Sequence, residues 1–165
     1  MTVTQHQNAA GVAADPRTLV DDVTFDKLVE FFAASQEVTH PYAERAVGQF
    51  LVFLKAHAAT RDSAEFGMPL PDGSVGRVVP TRPVDAVWHA ALQHTVPYLA
   101  ACDQIAGGYV HHIPILTEGM QDGSAMTFTL TALHATGYRV DMEFWGGLEA
   151  ESCCPPNPPQ PGQGK

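Results

Sequence analysis

The fold is decided by the stretch HPYAERAVGQFLVFLKAHA, residues 40–58. Its apolar residues recur at intervals of three and four, which is the period of a helix with one buried face. Proline at the second position of the stretch favours a helix start, because its ring holds the backbone angle that the first turn needs. The spacing predicts a core helix with a broad apolar stripe: Ala43, Ala46, Val47, Phe50, Leu51, Leu54 and Ala58. Phe53 lies off the stripe, which indicates that a second side of the helix is also covered.

Helices are predicted before and after this stretch. Thr24 is expected to cap a helix that buries Phe25, Leu28, Val29 and Phe32. Pro83 is expected to open a third helix.

This third helix is predicted to run to about Ala106 and to be kinked at Pro97, which lacks a backbone donor and crowds the preceding turn. Gly107-Gly108 should end it. A fourth helix is predicted over residues 124–136, with Gly137 as its stop. The alternation within residues 126–130 also fits a strand, so the sequence leaves that alternative open.

These elements predict a mainly α protein, a compact bundle of about four to five helices. A long Gly/Pro loop over residues 67–80 and an irregular C-terminal segment complete the expected fold. We expect a flexible N-terminal arm over residues 1–17 and a single helical domain over 18–150. Residues 151–165 are rich in proline and glycine, which predicts a disordered tail.

Composition narrows the class of protein. The chain has 165 residues, of which 45% are hydrophobic and 16% charged, so it can bury a core. No apolar run is long enough to span a membrane. The net charge of −9 argues against nucleic-acid binding, because acidic surfaces repel phosphates. Cys102, Cys153 and Cys154 form no disulfide framework, and this favours a cytoplasmic location.

Side chains with metal-binding and acid–base chemistry concentrate in residues 85–112. Asp85 and His89 are four residues apart, so they share one face of the third helix. A carboxylate at that spacing can hold one imidazole nitrogen and leave the other for a metal ion or a proton. His111 and His112 follow on the return segment, and in extended backbone only one of two neighbours can reach the site. We expect that one to be His112. Cys102 continues along roughly the same side of the third helix.

The same region carries a resemblance to a known family. Its order and spacing resemble the core motif of the glycine-rich domain-containing protein-like family, over roughly residues 25–150. The matching positions are Val84-Asp85-x-x-Trp88-His89, Thr95, Tyr98, Cys102, Gly107 and His111-His112-x-Pro114. The resemblance implies a compact helical domain with five signature residues: Asp85, Trp88, His89, Cys102 and His112. The chain departs from the family pattern in having Pro97 within the motif and a short Pro-rich tail.

Four of these residues also have a purely structural interpretation, and for His89 it is a buried histidine that Asp85 alone satisfies. If Pro83 is the first helical residue, Asp85 is the third, where an acid is favoured by the exposed amides of the first turn. Trp88 fits the core, with its indole N–H bonded to a carbonyl group. Cys102 fits a small buried apolar residue.

The residues therefore support three hypotheses. In the first, His89 and His112 bind one divalent metal ion, with Asp85 or Cys102 as a further ligand or as a group that orients one. Zn²⁺ suits this combination of imidazole, carboxylate and thiolate ligands best, and Fe²⁺ or Cu are alternatives. If the ion has an open coordination position, the protein would be a metalloenzyme. In the second, the same residues form a structural hydrogen-bond network in a non-catalytic module that binds a protein partner. In the third, Asp85 and His89 act as a base dyad on a peptide or small-molecule substrate.

Overall fold

The computed structural model describes residues 12–62, 78–112 and 123–146. These residues form one short 3₁₀ helix, Pro16–Leu19, and six α-helices. The α-helices are α1 (Asp22–Gln36), α2 (His40–Asp62), α3 (Arg82–Gln93), α4 (Thr95–Ala106), α5 (Ser124–Ala135) and α6 (Met142–Trp145). The prediction of a mainly helical bundle is confirmed.

Helix α2 is the centre of the bundle and packs against α1, α3, α4 and α5. Five consecutive residues, from Phe50 to Leu54, are fully buried, so the middle of α2 is covered on every side. Phe53, which lies off the predicted stripe, packs against Trp88 of α3 with ring centroids 5.1 Å apart. The second covered side that the sequence indicated is therefore supplied by α3.

The start of α1 differs from the prediction. Asp21, not Thr24, caps the helix, and its carboxylate accepts from the Thr24 backbone N–H at 2.8 Å and from the Thr24 hydroxyl at 3.0 Å. Both residue types are good caps. Thr24 is the third residue of the helix, is buried, and is the donor in this cap, not the acceptor. Hydrogen bonds from Thr24 lower the pKa of the Asp21 carboxyl.

The predicted third helix is in fact two helices, α3 and α4, which are separated at His94. His94 has φ −104° and ψ 68°, outside the helical region, and its N–H bonds to Ala90 and Ala91. The break lies just ahead of Pro97, which cannot donate to the carbonyl of Gln93 and would crowd it in a continuous helix. The expected kink is therefore a complete change of helix, with Pro97 in the first turn of α4.

Helices α4 and α5 end at the glycines that the sequence predicts as stops. Gly107 and Gly137 both adopt positive φ, +66° and +76°, the left-handed conformation in which glycine ends a helix. Residues 124–135 form a helix, so the strand alternative for 126–130 is wrong. The sequence did not predict the single turn of α6.

The C-terminal part of the bundle is held by the buried amide of Gln49 on α2. Its oxygen accepts from the Asp141 backbone N–H at 3.0 Å and from the Trp145 indole N–H at 2.8 Å, and its nitrogen donates to the Arg139 carbonyl at 3.1 Å. Ala14 forms a parallel bridge with Tyr138 beside this segment.

Residues 1–11, 63–77, 113–122 and 147–165 lie outside the described residues. Most of the predicted N-terminal arm, the Gly/Pro loop, Pro114, Cys153-Cys154 and the predicted tail fall there, so these expectations stay predictions. Within the described ranges, no helix combines the length and the apolar character needed to cross a membrane.

Candidate metal centre

The centre is built on the first turns of α3, and two buried threonines hold the start of that helix in place. The Thr81 hydroxyl donates to the Phe144 carbonyl at 2.7 Å, and the Thr129 hydroxyl accepts from the Val79 N–H at 2.9 Å. The segment that leads into α3 is thus attached to α5 and α6. This attachment fixes the direction in which α3 begins.

Asp85 lies between two imidazoles. One carboxylate oxygen is 3.0 Å from Nδ1 of His89, one helical turn ahead, and the other is 2.9 Å from Nε2 of His112. The carboxylate is 8% exposed, His112 is 15% exposed and His89 is 55% exposed. The three residues form a group whose ligand atoms all lie within 4.8 Å of one another and which could hold a metal ion.

The contacts of Asp85 favour a site over simple helix capping. The helix begins at Arg82, so Asp85 is its fourth residue, not its third, and its backbone N–H already bonds to the Thr81 carbonyl. Both of its carboxylate oxygens face imidazole nitrogens. A carboxylate this buried is rarely found without such partners.

The second imidazole comes from the return segment after α4. The ring of His112 lies between two rings of α3, 4.4 Å from Trp88 and 4.6 Å from His89. His111 is exposed and its ring contacts Tyr109 at 4.7 Å. The two neighbouring histidines therefore have different surroundings, and only His112 belongs to the group.

The structure does not bring Cys102 into this group of described residues. Cys102 is fully buried, and its thiol lies beside the Tyr98 hydroxyl and the Val110 backbone, where burial raises the pKa of the thiol. The reason is the break at His94, because the face that Asp85 and His89 share on α3 does not continue onto α4. Thr95, at the first position of α4, is exposed.

Trp88 is in the core, as its size predicts, but its indole N–H does not bond to a carbonyl. It donates to the Tyr98 hydroxyl at 2.9 Å, and that hydroxyl donates in turn to the Val110 carbonyl. The sequence offers Tyr98 only as a motif position. No sequence signal could have placed a backbone carbonyl 12 residues away against its hydroxyl.

The spacing of the group suits a shared ion. Ligand atoms about 2.0–2.2 Å from a tetrahedral Zn²⁺ lie about 3.3 Å from one another. The two N···O distances of 2.9 and 3.0 Å are close to that value, and all three ligand atoms lie within 4.8 Å of one another, so side-chain shifts alone would admit the ion. Each imidazole would then carry its proton on its other nitrogen. Three protein ligands leave coordination positions for water or another molecule.

No protein-family model, curated protein or solved structure matches this chain.

Proposed function

We propose that the protein binds one divalent metal ion through Asp85, His89 and His112. The observation that carries the proposal is the convergence of one buried carboxylate and two imidazoles, although Asp85 and His112 are 27 residues apart in sequence. Two imidazoles and one carboxylate suit Zn²⁺ best, with Fe²⁺ or Cu as alternatives. Cys102, which lies outside the group, is not part of the proposed ligand set.

The exposure of His89 supports an open centre, and hence a metalloenzyme. More than half of this side chain is exposed, whereas Asp85 and His112 are largely covered. A divalent ion with open positions polarises bound water and supplies a nucleophile at neutral pH. Solvent and a small substrate would approach from the side of His89, while Asp85 would supply the buried anionic ligand.

We also propose kinship with the glycine-rich domain-containing protein-like family, on the strength of the ordered motif in residues 84–114. Four of its five signature residues lie together here: Asp85, Trp88, His89 and His112. The fifth, Cys102, lies beside the hydroxyl that bonds to Trp88. The motif thus groups residues of one local network, which supports a common origin for the pattern.

Metal content tests the proposal directly. Protein purified without chelators should contain about one equivalent of metal by elemental analysis, and the metal-free protein should bind added Zn²⁺ in a titration calorimeter. Loss of a group that only supports a metal ligand typically weakens metal binding by about 10–100-fold. His89→Ala and His112→Ala should each weaken Zn²⁺ binding by more than that.

His111→Ala is the matched control, because His111 is exposed and lies next to His112 in sequence but outside the group. It should bind metal as the wild type does. A folded, metal-free wild-type protein that also ignores added Zn²⁺, Fe²⁺ and Cu²⁺ would end the proposal.

The second candidate is a non-catalytic interaction module in which the same residues only stabilise the fold. It is favoured by one observation: the two imidazoles already satisfy both oxygens of Asp85 without an ion. A buried polar network of this kind can specify a single packing arrangement. An acidic surface or the Pro-rich tail would then contact a protein partner.

Thermal melting separates the two candidates. Anything that binds the folded chain alone raises its melting temperature by mass action. Under the metal proposal, a chelator lowers the melting temperature of the purified protein and added Zn²⁺ restores it. Under the interaction-module candidate, the chelator leaves the melting temperature unchanged. Under either candidate, His111→Ala should melt at the same temperature as the wild type, with and without chelator.

A further inference from the structure

The Tyr98 hydroxyl lies where α3, α4 and the return segment meet. It accepts from the Trp88 indole N–H at 2.9 Å and donates to the Val110 carbonyl. All three residues are buried. One hydroxyl group therefore joins three segments of the chain in a place from which water is excluded.

Both bonds of this hydroxyl lead to the candidate metal centre. Val110 is two residues before His112, so its carbonyl fixes the backbone that carries the second imidazole. Trp88 directly precedes His89, and its ring is the surface on which the His112 ring lies, 4.4 Å away. The Cys102 thiol packs against the same hydroxyl from α4.

We propose that Tyr98 is a positioning residue for the centre: its hydroxyl holds the return segment so that Nε2 of His112 meets the Asp85 carboxylate. Without the hydroxyl, the Val110 carbonyl and the Trp88 N–H would both be buried without their partner. Buried polar groups left in that state draw in water or move the backbone. Burial raises the pKa of the Tyr98 hydroxyl, so it keeps the proton that it donates to Val110.

Tyr98→Phe tests this inference, because it removes the hydroxyl and keeps the ring. Tyr109→Phe is the matched control, since Tyr109 is exposed and its ring packs against the rings of Tyr98 and His111. The first measurement is made on the metal-free proteins. The imidazole nitrogen signals of His112 in NMR spectra report its hydrogen bond to Asp85, and they should shift in Tyr98→Phe and stay unchanged in Tyr109→Phe.

The second measurement rests on the proposed function and uses Zn²⁺ alone as the probe. Tyr98→Phe should weaken Zn²⁺ binding by about 10–100-fold, the range for groups that orient metal ligands, and Tyr109→Phe should not. Co²⁺ in place of Zn²⁺ should show an altered visible spectrum in Tyr98→Phe, which a loss of stability alone would not produce.

The outcomes separate the two proposals. A wild type that binds no metal overturns the proposed function, and the His112 signals alone then decide the role of Tyr98. Unchanged His112 signals in a folded Tyr98→Phe protein overturn the positioning role, whatever the metal content. If Tyr98→Phe does not fold, Tyr98→4-fluorophenylalanine fills the space of the hydroxyl but cannot donate to the Val110 carbonyl. Unshifted His112 signals in that variant would then overturn the positioning role.

Discussion

Two charged clusters in this molecule are built in opposite ways. At Arg45 on α2, one cation donates to two carboxylates, to Asp141 at 2.8 Å and to Glu143. At Asp85 on α3, one carboxylate accepts from two imidazoles. Both clusters join a helix to a segment far along the chain, and in both a central charge has two partners.

The two clusters differ in what their nitrogen groups can still do. A guanidinium keeps all its protons at physiological pH and offers no lone pair. Its hydrogen bonds to Glu143 and Asp141 raise the pKa of Arg45 further. An imidazole can move its proton to the other nitrogen and present a lone pair to a metal ion. The guanidinium of Arg45 therefore cannot ligate a metal ion, whereas the Asp85 cluster offers ligand atoms that could hold one.

The largest expected effect comes from neutralising one carboxylate in each cluster. Asp85→Asn should weaken Zn²⁺ binding by more than about 100-fold, because it removes the anionic ligand that both imidazoles face. Asp141→Asn removes a carboxylate from the Arg45 cluster and should leave Zn²⁺ binding unchanged. Calorimetric titration of the metal-free proteins measures both. Equal Zn²⁺ affinities of Asp85→Asn and Asp141→Asn would show that the Asp85 cluster has no special role in metal binding.

A smaller effect is expected for stability, and it tests which side chain attaches the C-terminal segment near Arg45. Gln49→Ala should lower the free energy of unfolding by about 3 kcal/mol, because its buried amide serves Arg139, Asp141 and Trp145 and all three groups would lose a partner. Chemical denaturation measures this loss.

Gln93→Ala is the control for that measurement. Gln93 is exposed, and among the described residues its amide donates only to the His89 carbonyl of its own helix, at 3.3 Å. It should change stability by less than about 0.5 kcal/mol. Similar losses in the two variants would mean that the buried amide is not what attaches this segment.

The fold was largely predictable because its signals are local. The helical period in residues 40–58, the glycines at 107 and 137, and Pro83 each act within one or two turns. The pairing of Asp85 with His89 is local in the same sense. What the sequence could not show is long-range: Pro97 predicts a disturbed helix, but the size of the change in direction at His94, which separates Cys102 from the group, depends on how α4 packs against α1 and α2. The hydrogen bonds of Tyr98 and Gln49 to backbone groups could not be predicted either, because every residue has a backbone carbonyl and its position is not encoded by the residue type.

The smallest expected effect concerns the Arg45 pairs themselves. Arg45 is 45% exposed and Glu143 is 63% exposed, so solvent screens these charges strongly. Arg45→Gln should therefore lower the free energy of unfolding by at most about 1 kcal/mol, clearly less than Gln49→Ala. The loss should also shrink in high salt, since screening weakens the pairs that the wild type still has. Arg82→Gln is the control, because Arg82 is an exposed arginine that forms no ion pair with any described residue. Denaturation at low and high salt measures both variants; a large, salt-independent loss in Arg45→Gln alone would show that this cluster is as tightly integrated into the fold as the one around Asp85.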